Sequence, residues 1–110
     1  MNTTEELTKD DVFEVLSSSR RRRILYHLHR RGGTADLRTL ARDTAVDETG
    51  ESVEDDVVKR FYISLYQTHV PKLEEVGIVR YDSDEKTVSL TDRVEDIARV
   101  LNHDVGPDRQ

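Results

Sequence analysis

The chain has no cysteine and no tryptophan, two prolines, one methionine, and four lysines against thirteen arginines. Without cysteine there is no disulfide, no thiolate to ligate zinc and no thiol to sense oxidants, so a reducing compartment is the natural expectation. No run reaches the roughly 18 apolar residues that a membrane span needs. The first residues lack the charged-then-apolar profile of a signal peptide. A cytoplasmic location away from membranes is expected.

Catalytic and metal motifs are missing as well. There is no HExxH, no histidine pair with a carboxylate at i,i+4, and no glycine-rich phosphate loop. His27 and His29 are two apart, so on a helix they diverge and cannot share an ion. Ser17 to Ser19 near His27 do not form a triad without a group to orient the imidazole. The expectation is therefore no enzyme, with no catalytic residue, metal or cofactor.

What is present is charge. The 110 residues are 36% charged and 35% hydrophobic, with a net charge of −6, which suits one domain with a modest core. A surface rich in carboxylate and poor in lysine resembles proteins of salt-loving organisms. The two signs are also segregated. Arg20 to Arg31 contains six arginines and no acid, while Asp47 to Asp56 contains six acids and no base. For nucleic-acid binding, a local basic face matters more than the total.

Apolar spacing divides the chain into elements. Residues 1–8 are polar and expected to be disordered. Thr8 with Asp11 forms a capping pair for a first helix in which Val12, Phe13 and Leu16 share a face. Ser17 to Ser19 break the chain and cap a second helix with the stripe Ile24, Leu25 and Leu28, which Gly32-Gly33 stops. Thr34 is expected to cap a third helix carrying Leu37, Leu40, Ala41 and Ala45. An acidic loop, about Val46 to Ser52, leads into the longest periodic run, Val53 to Val76, which Gly77 ends. Val57, Phe61 and Leu65 step by four, Val58, Tyr62 and Tyr66 do so beside them, and Val70 and Leu73 continue the stripe. Ile78 to Leu90 alternates as a hairpin with its turn at Asp82 to Lys86. A last helix from Thr91 places Val94, Ile97, Ala98 and Leu101 together and pairs Glu95 with Arg99. Gly106-Pro107 marks a flexible tail, taken as 103–110, which leaves 9–102 as the domain.

The resulting class is mainly α with a β-hairpin, in the order of a winged helix-turn-helix: three helices, a long recognition helix, a wing and a C-terminal helix. SSSRRRRILYHLHRRGG, ADLRTLA and SLYQTHVPKLEEVGIVRYDSDEKTVSLT carry a further likeness. They resemble the small winged helix-turn-helix transcription regulators of halophilic archaea, similar to ArsR- and PadR-type repressors, with an RosR-type oxidative-stress regulator as one candidate member. The resemblance covers residues 11 to 101. It implies a homodimer on a pseudo-palindromic site in double-stranded DNA. Two departures stand out, the acidic loop before the long helix and the acids Asp82, Asp84 and Glu85 at the wing tip.

On this reading the helix of about 53–76 enters the major groove. Gln67 and Thr68 would read bases, since Gln can both donate to and accept from adenine. Ser64, Lys59, Arg60 and Lys72 would hold the backbone. Arg38, Arg20, Arg21 and Lys86 are further phosphate candidates, the arginines at the second helix's start being helped by its N–H groups. Ion pairing is the competing reading for these cations, with Asp55 and Asp56 for Lys59 and Arg60, and with Glu14 or Asp96 for the arginine cluster. Pro71 predicts a kink, at a cost of about 3 kcal/mol if uncompensated. Val12, Val15 and Leu16 with Val94, Ile97 and Leu101 make a candidate dimer seam, the alternative being that they close the monomer core. Two recognition helices would then sit about 34–36 Å apart, one DNA turn. In a saline cytoplasm, inorganic ions are expected to bridge acidic side chains to phosphate. The alternative from another class is a winged-helix module that binds protein.

Overall fold

The computed structural model describes residues 7–105, with side chains placed to residue 99. The chain is mainly helical with a small three-stranded antiparallel sheet. Order begins earlier than expected, because Leu7 is buried in the core and Thr8 is a cap. Thr8 Oγ1 accepts from the Asp11 N–H at 3.0 Å while Asp11 accepts from the Thr8 N–H at 3.3 Å, starting α1 (Lys9–Leu16) with a reciprocal capping box. Ser18 caps α2 (Ser19–Arg30) by a single bond, its Oγ accepting from the Arg21 N–H. At its end the Gly33 N–H reaches back to the Leu28 carbonyl at 2.8 Å, a closure that needs the left-handed Gly32, at φ 84°.

The segment expected to cap the third helix instead forms β1 (Thr34–Asp36). The N-cap of α3 (Leu37–Thr49) is Asp36, which accepts from the N–H and hydroxyl of Thr39. Asp36 is held below the usual carboxylate range, chiefly by that hydroxyl. α3 also absorbs most of the expected acidic loop: Asp47 and Glu48 lie in its last turn, and Gly50 ends it at φ 80°.

The expected single helix of 53–76 starts at Asp55 and contains two kinds of turn. α4 (Asp55–Ser64) passes into a π-helical turn, Leu65–His69, and then α5 (Val70–Glu75). Backbone angles stay right-handed helical through the junctions, so the run is continuous. The Val70 N–H bonds to the Leu65 carbonyl five residues back, directly ahead of Pro71, which has no N–H to continue an i→i−4 ladder. The disturbance attributed to the proline is thus taken up by the preceding turn.

β2 (Val79–Asp82) and β3 (Thr87–Leu90) form the expected hairpin, and β1 pairs with the far edge of β3, giving the order β1-β3-β2. Ala35 lies opposite Val88, and Tyr81 lies opposite Val88 from the other side. α6 (Val94–Val105) runs past the expected boundary at 102, so 103–105 are helix rather than tail. Residues 1–6 and 106–110 lie outside the described part. In α6, Arg99 pairs with Asp96 at 3.4 Å.

The core corrects the proposed dimer seam. Val12 and Val15 are fully buried within the monomer, among Ile24, Leu28, Leu40 and Leu73. Side chains with no exposed surface cannot supply a seam. Leu16 and Ile97 are half-buried and pack on the same core, Val94 is half-buried, and the Leu101 side chain lies outside the described residues. Phe13, expected to face inward with Val12, is turned out and about half exposed.

Candidate functional site

The helical run from Asp55 to Glu75 packs on α3 through one flank. Val58, Leu65, Val70 and Leu73 are buried, with Phe61 and Tyr62 half-buried beside them. The step from Leu65 to Val70 is five residues, where an α-helix would return to the core after three or four. The π turn accounts for it, because its wider winding fits one more residue between inward positions. Tyr66, Gln67 and Thr68 are therefore all exposed in succession. In an unbroken α-helix Thr68, three after Leu65, would turn toward the core. Upstream, Lys59, Arg60 and Ile63 continue this outer crest at helical spacing.

Around the crest, the cations are largely engaged. Arg60 pairs with Asp56 at 3.8 Å, and Arg38 and Arg42 reach Asp55 at 3.6 and 3.8 Å. Lys72 turns to α1 and pairs with Glu14 at 3.1 Å. Among the described residues, Lys59 has no carboxylate partner. Ser64 is not on the crest: its Oγ accepts from Arg20 Nη1 at 3.1 Å, on the flank facing α2. Lys86 is exposed at the end of the hairpin turn, at a left-handed φ of 56°, and its carbonyl accepts from the Leu37 N–H. The turn itself is organised by Asp82 Oδ1, which accepts from the N–H groups of Asp84 and Glu85.

The arginine cluster has mainly an internal role. Arg20 makes a bidentate pair with Glu48, both bonds 2.7 Å, and lies 4.1 Å over the Phe61 ring. It thereby joins α2, the end of α3 and α4. The Arg20 guanidinium holds the Glu48 carboxyl below its ordinary range, against the opposing effect of burial. Arg21 is 6% exposed. Its Nε donates to the Val15 carbonyl and its Nη2 to the Glu14 carbonyl, both at 2.9 Å, while Nη1 lies 3.3 Å from His69 Nδ1. A side chain so enclosed has no surface to offer phosphate, which corrects its candidacy. Arg23 joins Asp47 at 3.6 Å, and Arg22 bonds the Leu16 carbonyl. The carboxylate partners of the cluster come from α3, not from the expected Glu14 or Asp96: the Glu14 carboxylate is held by Lys72 and Asp96 by Arg99. Burial first, and then the neighbouring Arg21, push the His69 imidazole down from its ordinary value.

Elsewhere, an open groove of about 590 Å³ between α2 and α3 is lined by Tyr26, His27, Arg30, Arg31, Asp43 and Asp47, among others. Its carboxylates are engaged: Asp43 meets Arg31 at 2.7 Å and Asp47 meets His27 at 2.9 Å. Among the described residues no cluster is arranged to hold a metal ion, and no helix is long and apolar enough to cross a membrane.

The chain belongs to the family described as a domain of unknown function (DUF7344), which matches residues 13–89. Neither a curated protein nor a solved structure matches the chain. The matched span runs from α1 to β3 and takes in the whole crest and the hairpin. Sequence reasoning placed Gln67, Thr68, Lys59 and Arg60 on this helix, but it gave Ile63 no role and read Tyr66 into the apolar stripe with Val58 and Tyr62, whereas Tyr66 is exposed. For Ile63 the signal was available, since it falls between the inward positions of the stripe. For Tyr66 it was not, because four-residue spacing to Val70 points inward and only the π turn brings it out.

Proposed function

We propose that this chain is a sequence-specific DNA-binding transcription regulator that acts as a homodimer. The order α2, β1, α3, α4–α5, β2, β3, with sheet order β1-β3-β2, supports a winged helix-turn-helix reading in which residues 55–75 form the recognition helix and β2–β3 the wing. It agrees with the resemblance to haloarchaeal regulators. The observation that carries the reading is the crest itself. Gln67 and Thr68, uncharged hydrogen-bonding side chains, stand exposed on a helix whose opposite flank is buried against α3. Gln67 matches the donor–acceptor edge of adenine, and Thr68 serves base or phosphate.

Charge shapes the binding mode. Most cations near the crest already have carboxylate partners, so few are free to displace counterions from DNA. Each phosphate neutralised adds about −0.9 to the log–log salt slope. Lys59 is the first candidate for such a contact, with Arg60 and Arg38 joining when they exchange their exposed acids for phosphate. The acids at the hairpin tip and at the start of α4 repel phosphate unless cations bridge them. Hydrogen bonding and shape must then supply the affinity.

Selection of bound duplexes from a random pool at several salt concentrations, followed by sequencing, tests the proposal. An enriched inverted repeat with half-sites one helical turn apart is the expected result. A second reading, a protein-binding winged-helix module, is favoured by exposed Ile63 and Tyr66. It predicts no enriched sequence at any salt concentration.

A further inference from the structure

Ile63 occupies an unusual place. It is 44% exposed on the outer crest of α4, one turn after Lys59 and Arg60 and one turn before Gln67. The exposed tyrosines have aromatic or cationic neighbours: Tyr66 meets the Tyr81 ring edge-on at 6.1 Å, and Tyr26 lies under the Arg30 guanidinium at 5.8 Å. Ile63 is a purely aliphatic side chain flanked by a cation-bearing turn on one side and a base-edge reader on the other. Gln67 lies about 6 Å further along the axis, at 1.5 Å per residue. Successive base pairs are about 3.4 Å apart, so the two side chains address positions within about two steps of each other.

Apolar side chains in the major groove have one specific complement, the 5-methyl group of thymine. We propose that Ile63 is a specificity-determining residue that reads a thymine methyl, next to the adenine contacted by Gln67, so that each half-site contains a T and an A within about two steps. This rests on the DNA-binding reading and deepens it. The flanking Lys59 and Arg60 favour an anionic partner such as DNA over an apolar one, and their neighbour Gln67 has no role in a purely apolar contact.

The test replaces thymine by deoxyuridine, one position at a time, in the duplex selected by the wild-type protein. Deoxyuridine pairs as thymine does but lacks the methyl group. At one position in each half-site, affinity is expected to fall about fourfold, the worth of one buried methyl group. Ile63→Ala, a substitution an exposed helix position tolerates, is expected to bind thymine and deoxyuridine duplexes equally while still preferring adenine at the Gln67 position. If wild-type protein binds a selected sequence but every deoxyuridine duplex equally well, the Ile63 assignment fails and the DNA reading stands. If no sequence is selected, both fail. Loss of self-association by Ile63→Ala, measured by sedimentation, with an unchanged deoxyuridine response, would overturn the assignment and place Ile63 in a protein interface.

Discussion

At the start of α2 four arginines follow one another, whereas the crest from Lys59 to Thr68 has one lysine, one arginine and a row of uncharged side chains. By charge alone the first region is the better nucleic-acid site. Yet Arg20 and Arg21 are drawn inward, one onto Glu48 and Phe61, the other onto the carbonyls that end α1. The crest keeps its side chains in water. A cluster of like charge beside an acidic helix end is neutralised locally, because close, partly buried pairs exclude the water that would otherwise screen them. Uncharged polar side chains have no such partner to retire to, and they remain available.

Arg21→Ala should break this contrast most visibly. It leaves the Val15 and Glu14 carbonyls without their donor and opens a gap beside the π turn. A loss of about 2–4 kcal/mol in urea unfolding is expected, the range for removing a buried charged hydrogen-bonding partner. A variant that unfolds normally yet binds DNA poorly would return Arg21 to the interface and reverse the comparison. Arg20→Ala should follow at about 2–3 kcal/mol, since a bidentate charge-assisted pair and a ring contact are lost together.

At the crest the expectation is inverted. Gln67→Ala should change stability by less than about 0.5 kcal/mol, as for an exposed site. It should lose about 1–3 kcal/mol of discrimination at one base position in competition binding. Equal weakening on all sequences would make Gln67 a backbone contact. Lys59→Ala is expected to weaken binding uniformly and reduce the salt slope by about one. The wild-type slope itself should stay shallower than about six in magnitude, and a steeper one would mean that the paired cations release their carboxylates on DNA.

The smallest expected effect concerns His69. Its value in the folded chain lies below its ordinary 6.5, mainly through burial and then through Arg21. The unfolded chain therefore binds more protons just below pH 6.5, so stability is full above that value and declines as pH falls toward the lowered folded value. Chemical denaturation at pH 7.5 and 5.5 should show a smaller acid-induced loss for His69→Gln than for wild type. Equal losses would show that protonation of His69 is not what destabilises the fold in acid.

Legibility in the sequence followed range. The Thr8–Asp11 capping box, the Ser18 cap, the stop at Gly77 and the hairpin from Val79 to Leu90 depend on residues a few positions apart, and all were readable. β1 was not, because Thr-Ala-Asp is too short to show a period and exists as a strand by pairing with Thr87 to Ser89 some fifty residues away. The acidic stretch read as a loop is mostly helix, and there Arg20 and Arg23 bring opposite charge to Glu48 and Asp47. For the site, Gln67 and Thr68 were legible as polar positions on an apolar-striped helix. The exclusion of Ser64, Lys72 and Arg21 from its outer face was not.

The order of elements, their caps and the apolar stripe of the long helix are properties of local spacing, and sequence alone determined them. Which cations face inward, whether Val12 and Val15 close a monomer, and that Tyr66 joins Gln67 on the outside were decided by the tertiary structure. The reason is that an ion pair or a buried valine is defined by a partner distant in the chain, and the five-residue step over the π turn is set by where Leu65 and Val70 both find the core.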